Sequence, residues 1–248
     1  MKVLVTGATG FVGKKLVSQL INRGHKVSIL TRDTEIARKR LPMNCEFHKW
    51  EPELYPPSSQ AFDGVNAVVH LAGENIADGR WSESRKNKIK DSRVLSTRNL
   101  ISTLKSMKNP PDTFVSASAV GFYGKDKPVE LYEDLDPGKD FLADVCKEWE
   151  HEAFTARDHN IRTIALRIGI VLGYEGGAIK KILPSFWAGV GGTLGDGNQW
   201  MSWIHIKDLV GMIIHSLENK TIQGAYNATS PDPVTNKVFT KCLAKVLR

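Results

Sequence analysis

Gly7-x-x-Gly10-x-x-Gly13 falls within the first thirteen residues, between a short apolar run (3–6) and a stretch with apolar residues at helical spacing. That placement limits the possible folds more than any other feature of the chain. The first glycine permits a tight turn, the second lets backbone approach a diphosphate, and the third lets helix and strand pack closely. Phe11, Val12, Leu16, Val17, Leu20 and Ile21 then recur at three- and four-residue intervals, which predicts a helix beginning near Phe11. Its N-terminal N–H groups and dipole would aim at the loop. Arg23-Gly24-His25 supplies a glycine stop, and residues 26–30 (KVSIL) read as a second strand. Strand, glycine turn, helix and strand within about 30 residues make a βαβ unit, whose crossover requires a parallel sheet.

The same alternation continues. Residues 46–50 predict a third strand, and a Pro/Ser-rich connection leads to 67–71 (AVVHL), apolar enough for a strand buried on both faces. A long basic helix is expected from Ser82 to about Leu104, a strand at 113–117, an acidic helix at 140–158, and a strand opening the run TIALRIGIVL at 163–167. From Gly173 onward glycines interleave with Trp187, Trp200 and Trp203, which suggests loops and short elements. A helix at 208–218, a strand near 225–227 and a helical segment at 236–248 follow. The expected fold is α/β, a Rossmann-type doubly wound parallel sheet with a small C-terminal substrate-side lobe. Residues 1–172 with about 203–227 would form the sheet domain, and about 173–202 with 228–248 the lobe. The last helix has no glycine or proline stop, so a chain truncated at its C-terminus is expected.

Composition narrows the function. With 248 residues, 41% hydrophobic and 25% charged, the chain can bury a full core without staples. Cys45, Cys146 and Cys242 are scattered and form no CxxC pair, so neither disulfides nor structural zinc are expected, and no other spacing suggests a metal. A reducing cytoplasm fits this usage. The chain has no apolar run of about 18 residues, so no membrane partner is expected. The net charge is +7, and residues 1–40 hold nine Lys/Arg against two acids. The excess therefore surrounds the glycine loop, which suits a small polyanion and argues against nucleic acid.

The second strand ends at Thr31-Arg32, where NAD sites place a carboxylate for the ribose 2′-OH. A guanidinium there can clamp a 2′-phosphate, so NADP is the expected cofactor, although Asp33 stands beside it.

TGATGFVG at 6–13, HLAG at 70–73, SAVGFYG at 118–124, LRIGIVLGYEGGA at 166–178 and GGTLGDGNQWMSWIHIKDL at 191–209 are similar to an extended short-chain dehydrogenase/reductase. The resemblance is strongest to a subgroup called NAD-dependent epimerase/dehydratase, some members of which are called cell-division inhibitors, and whose members run about 50 residues longer. It covers essentially the whole chain. It implies cofactor contacts at Gly7, Thr9, Gly10, Phe11, Val12, Gly13, Thr31, Arg32, Leu71, Ala72 and Gly73, with Arg93 and Val171 beside them.

The superfamily's chemistry uses a tyrosine acid/base, a lysine one helical turn later and a Ser/Thr that orients the substrate. Ser118 fits the last role. The literal Tyr123-x-x-x-Lys127 contains Gly124 and is followed by Pro128, which makes the stretch an expected loop, so the two side chains need not meet. On the acidic helix the dyad positions fall on Leu142 and Cys146, and neither can do that chemistry; Lys147 points elsewhere. The usual dyad is absent. Tyr123 is the alternative acid, Cys146 reads as a buried small hydrophobe, Asp208 as a helix N-cap and His70 as a core histidine. Two functions follow. One is an NADP-dependent oxidoreductase or epimerase acting on a small-molecule substrate, nucleotide-linked or free, through Ser118 and Tyr123. The other is a catalytically impaired NADP-binding regulator related to division.

Overall fold

The computed structural model describes residues 1–125 and 130–247. In chain order the elements are β1 (Lys2–Thr6), α1 (Phe11–Asn22), β2 (Lys26–Thr31), α2 (Thr34–Arg40), β3 (Glu46–Lys49), β4 (Ala67–His70), α3 (Glu83–Ser106), β5 (Thr113–Ala119) and α4 (Phe141–Phe154). They continue with β6 (Arg162–Ile168), β7 (Ile170–Gly173), α5 (Gly177–Trp187), β8 (Trp200–Met201), β9 (Trp203–His205), α6 (Ile206–Glu218), β10 (Gly224–Ala228), β11 (Val234–Thr235) and α7 (Asn236–Val246).

Seven strands form one sheet in the order β10-β6-β5-β4-β1-β2-β3. Every neighbouring pair is parallel. This is the doubly wound Rossmann-type sheet that the glycine turn predicts. Alternate residues of β1 feed opposite faces: Val3 and Val5 pack with Leu16, Leu20 and Ile213, whereas Leu4 packs with Leu100, Leu104 and Phe114. The strand order reverses between β1 and β4, so a crevice opens beyond their carboxyl ends, where such folds bind ligands.

Three local readings need correction. The run TIALRIGIVL is two strands. At Gly169 a Cβ would lie 2.5 Å from the Ser202 carbonyl oxygen, and the chain turns there so that β7 leaves the main sheet and pairs in parallel with β9. Residues 177–187 form an 11-residue helix, α5, rather than loop. Helix α2 has no counterpart in the sequence reading; Asp33 caps it by accepting the Ile36 N–H at 2.8 Å. Among the described residues no helix is long and apolar enough to cross a membrane, and no cluster of His, Cys, Asp or Glu could hold a metal ion.

Candidate functional site

The crevice holds a pocket walled by the Thr6–Gly10 turn, the end of β2 with Thr31 and Arg32, Trp50, and the loop 71–74 after β4. The turn is shaped by its glycines. Gly7 takes φ +67°, a conformation that L side chains rarely adopt, and a Cβ there would lie 2.6 Å from the Leu71 carbonyl carbon. Helix α1 begins behind the turn with Gly10 as an N-cap that offers no side-chain hydrogen bond, and without an acid in its first turn. Its first backbone bond runs from Lys14 N–H to the Gly10 carbonyl at 3.0 Å, which leaves the N–H groups of Phe11, Val12 and Gly13 without an intrahelical acceptor. An anion at this point would complete the cap.

Eight of the residues expected at a cofactor line this pocket: Gly7, Thr9, Gly10, Thr31, Arg32, Leu71, Ala72 and Gly73. Asp33 stands next to Arg32, but its carboxylate is engaged in capping α2. That carboxylate is thus occupied by the helix cap, and the exposed Arg32 guanidinium shares the pocket wall with Trp50, Pro52 and Glu53.

The other expected residues act from behind the wall. Phe11 places its ring against Gly173, Gly176 and Gly177, where added Cβ atoms would lie 2.7, 2.6 and 2.9 Å from it. Val12, Val171 and Phe11 pack on the same apolar cluster. Arg93 donates to the carbonyls of Glu74 at 2.9 Å and Ile89 at 3.0 Å and sits over the Trp149 ring, so it holds the 71–74 loop from its rear. Burial lowers its pKa from the ordinary value. The loop's outer end is tied as well: Glu74 pairs with Arg85 at 2.6 Å, and Asp78 pairs with Lys181 of α5.

Ser118 and Tyr123 come together, but in the interior. Ser118 at the end of β5 donates to Glu150 Oε1 at 2.6 Å. Tyr123 donates to Asn227 Oδ1 at 2.7 Å and accepts from Arg167 Nη1 at 2.9 Å. Arg167 grips both carboxylate oxygens of Glu150, at 2.9 and 3.0 Å, with the Phe122 ring against its guanidinium. Ser118 is 3% exposed and Tyr123 2%, and neither lines the pocket. Lys127 and Pro128 lie outside the described residues.

Leu142 and Cys146 face Gly121 from α4, with Leu142 Cβ 3.4 Å and Cys146 Sγ 3.8 Å from a Cβ placed there. Lys147 is exposed. Burial, reinforced by the Glu150 charge, pushes the Cys146 thiol up to about 12, so it is a packing residue and not a nucleophile. The expected Asp208 cap is corrected: His205 Nδ1 accepts the Lys207 N–H at 3.3 Å and caps α6, with Asp208 inside the first turn. His70, the last residue of β4, is fully buried, a core histidine as expected.

Sequence reading missed Trp50, Pro52, Glu53 and Ser92 among the pocket walls and Glu150 with Arg167 as a buried pair. Trp50 was within reach, because its strand ends beside Arg32. The pair had no local signal.

The sheet order and the crevice at its reversal define a Rossmann-type α/β protein. The chain belongs to the NAD dependent epimerase/dehydratase family, whose model matches residues 3–229. It is 38% identical over 248 residues to the epimerase family protein YfhF of Bacillus subtilis (strain 168), with 99% of this chain and 80% of the relative covered. It is 34% identical over 250 residues to the Homo sapiens epimerase family protein SDR39U1, covering 100% and 80%. The crystal structure of human SDR39U1 (isoform 2) with NADPH superposes with a TM-score of 0.85 at 33% identity, covering 100% of this chain and 80% of that one. A UDP-glucuronic acid 4-epimerase from Bacillus cereus shares the fold, with a TM-score of 0.85 at 22% identity, covering 100% of this chain and 83% of that one.

Proposed function

We propose that the crevice binds NADP(H), with its diphosphate at the N-terminus of α1 and its 2′-phosphate at Arg32, and that the protein is an oxidoreductase or epimerase acting on a small substrate, nucleotide-linked or free. The observation that carries the cofactor choice is the Arg32 guanidinium on the pocket wall at the end of β2, while the adjacent Asp33 carboxylate accepts the Ile36 N–H and caps α2. The NADPH held by the human relative supports it. The nicotinamide, when bound, supplies hydride chemistry. The chain's own part is to hold the diphosphate on uncapped N–H groups and to fix the ribose between the β2 end and the 71–74 loop. Three free cysteines support a reducing compartment such as the cytoplasm.

Arg32→Ala tests the clamp. Loss of one charged contact to phosphate should weaken NADPH binding by about 1.5–3 kcal/mol, roughly 10- to 100-fold, and leave NADH binding within about twofold. Calorimetric titration of both nucleotides reads the ratio directly. An unchanged ratio would mean that Arg32 is a solvated strand-end arginine.

For the chemistry, Ser118 and Tyr123 are the proposed hydroxyl groups, and each must leave a partner in the Glu150–Arg167 network to reach substrate. That requirement, with Leu142 and Cys146 at the dyad positions, favours a second reading: a division-related regulator that keeps the cofactor and has lost turnover. A substrate screen following NADPH absorbance separates them. Turnover that falls at least about 100-fold in Tyr123→Phe identifies an enzyme using that hydroxyl, whereas tight NADPH binding without turnover on any substrate identifies the regulator.

A further inference from the structure

Beneath the pocket runs a chain of hydrogen bonds whose directions follow from which groups can donate. The backbone N–H groups of Leu71 and Ala72 both reach Thr6 Oγ1, each at 3.2 Å, and the Leu71 N–H is shared with the Thr6 carbonyl at 3.3 Å. Backbone N–H only donates, so these two bonds fill the acceptor positions of the hydroxyl. Its own proton is left for the third neighbour, His70 Nδ1, at 2.7 Å. The neutral ring therefore carries its proton on Nε2, which faces Ser96 Oγ at 3.3 Å. Ser96 in turn donates to the Ser92 carbonyl at 2.6 Å. The chain runs in one direction from the loop through β1 and β4 to α3, and Thr6, His70 and Ser96 are all 0% exposed.

We propose that His70 is a positioning residue of the crevice: its Nδ1 lone pair takes the Thr6 proton and so keeps Thr6 Oγ1 available to hold both N–H groups of the 71–72 backbone against Gly7. This rests on the reading of the crevice as an NADP(H) site. The consequence of losing the acceptor is specific. A ring protonated on Nδ1, or a side chain with no lone pair, would put a fourth hydrogen around one oxygen or leave the Thr6 proton without a partner. Either would push the 71–74 loop out of register with the glycine turn. The ring meets Thr6, Ser96 and the Trp50 and Phe114 rings in these contacts, none of them charged, and burial lowers its pKa to about 3. The accepting tautomer is therefore present throughout the ordinary pH range.

The test is calorimetric titration of the full chain with NADPH, using wild type, His70→Phe and His70→Gln. Phenylalanine offers no acceptor and should weaken binding at least about tenfold. Glutamine can accept from Thr6 through Oε1 and donate to Ser96 through Nε2, and should stay within about threefold. A His70→Phe value within twofold of wild type, or a glutamine variant as weak as the phenylalanine one, overturns the proposal. Failure of wild type to bind NADPH would instead refute the reading of the crevice, and this role with it. Independently of whether either variant folds, a long-range 1H–15N spectrum of histidine-labelled wild type should show His70 protonated on Nε2, with no titration from pH 8 to 5. The Nδ1-protonated tautomer would overturn the proposal.

Discussion

Glu150→Ala is expected to lower folding stability by about 3–5 kcal/mol, the largest effect of any single substitution in the buried network. For a chain of this size that corresponds to a fall in Tm of roughly 10 °C. Three groups depend on the carboxylate. Arg167 donates Nε to one oxygen and Nη2 to the other, and Ser118 donates to the first. Both partners of the ion pair are nearly excluded from water, at 5% and 6% side-chain exposure. Among the described residues, alanine would leave a guanidinium in the interior with the Tyr123 hydroxyl and the Glu133 carbonyl as its acceptors, and a serine hydroxyl that has lost the carboxylate. The magnitude arises from an uncompensated buried charge and not from the net worth of the pair. The double variant Glu150→Leu, Arg167→Met should accordingly be less destabilised than the single one. Urea denaturation of all three proteins checks this, and equal stability of Glu150→Ala and wild type would show that water reaches Arg167.

The network also shows which parts of the site the sequence makes legible. The cofactor wall is built from short contiguous segments, so the glycine turn and Arg32 are found by their position in the βαβ unit, and Leu71-Ala72-Gly73 through the family resemblance. The absent dyad is legible because the resemblance places it on α4, where Leu142 and Cys146 are one helical turn apart. What pairs across the fold is not. Tyr123 bonds to Asn227 over 104 residues, and Arg167 to Tyr123 over 44. No periodicity reports those contacts, so both hydroxyls read as open candidates until the sheet brings β6 and β10 beside the turn that carries Tyr123. Helix α2 was hidden differently. Its seven residues bury only Ala37, too little for a hydrophobic pattern, and Asp33, the cap that starts it, stands beside Arg32 at the end of the second strand. At Gly169 the apolar run hid a break, because strand texture says nothing about the Ser202 carbonyl that the chain must avoid. Asp208 lost the cap of α6 to His205 by three residues, well within the usual spread of helix boundaries.

Gly13→Ala carries the second large expectation, because intrinsic propensity and packing predict opposite signs. Gly13 lies in the first turn of α1, and alanine in a helix is favoured over glycine by about 1 kcal/mol. The position needs no left-handed backbone, so no strain from φ enters. Space decides instead. A Cβ at Gly13 would stand 2.3 Å from the Gly7 carbonyl oxygen and 2.6 Å from Ala8 Cα. Both atoms belong to the backbone of the turn itself, so no flexible side chain can yield, and either the helix or the turn must shift. Overpacking of this kind costs about 1–3 kcal/mol, and here the displacement falls on the uncapped N–H groups proposed to meet the diphosphate. NADPH affinity should fall on the order of 100-fold, the equivalent of about 3 kcal/mol. Gly211→Ala is the matched control. It too is a helical glycine, exposed on α6, and a Cβ there meets nothing within 4 Å. That variant should gain up to about 1 kcal/mol in stability and bind NADPH as wild type does. If Gly13→Ala also gains stability and keeps its affinity, the close approach of α1 to the turn is not what shapes the crevice, and the third glycine has no steric role in this chain.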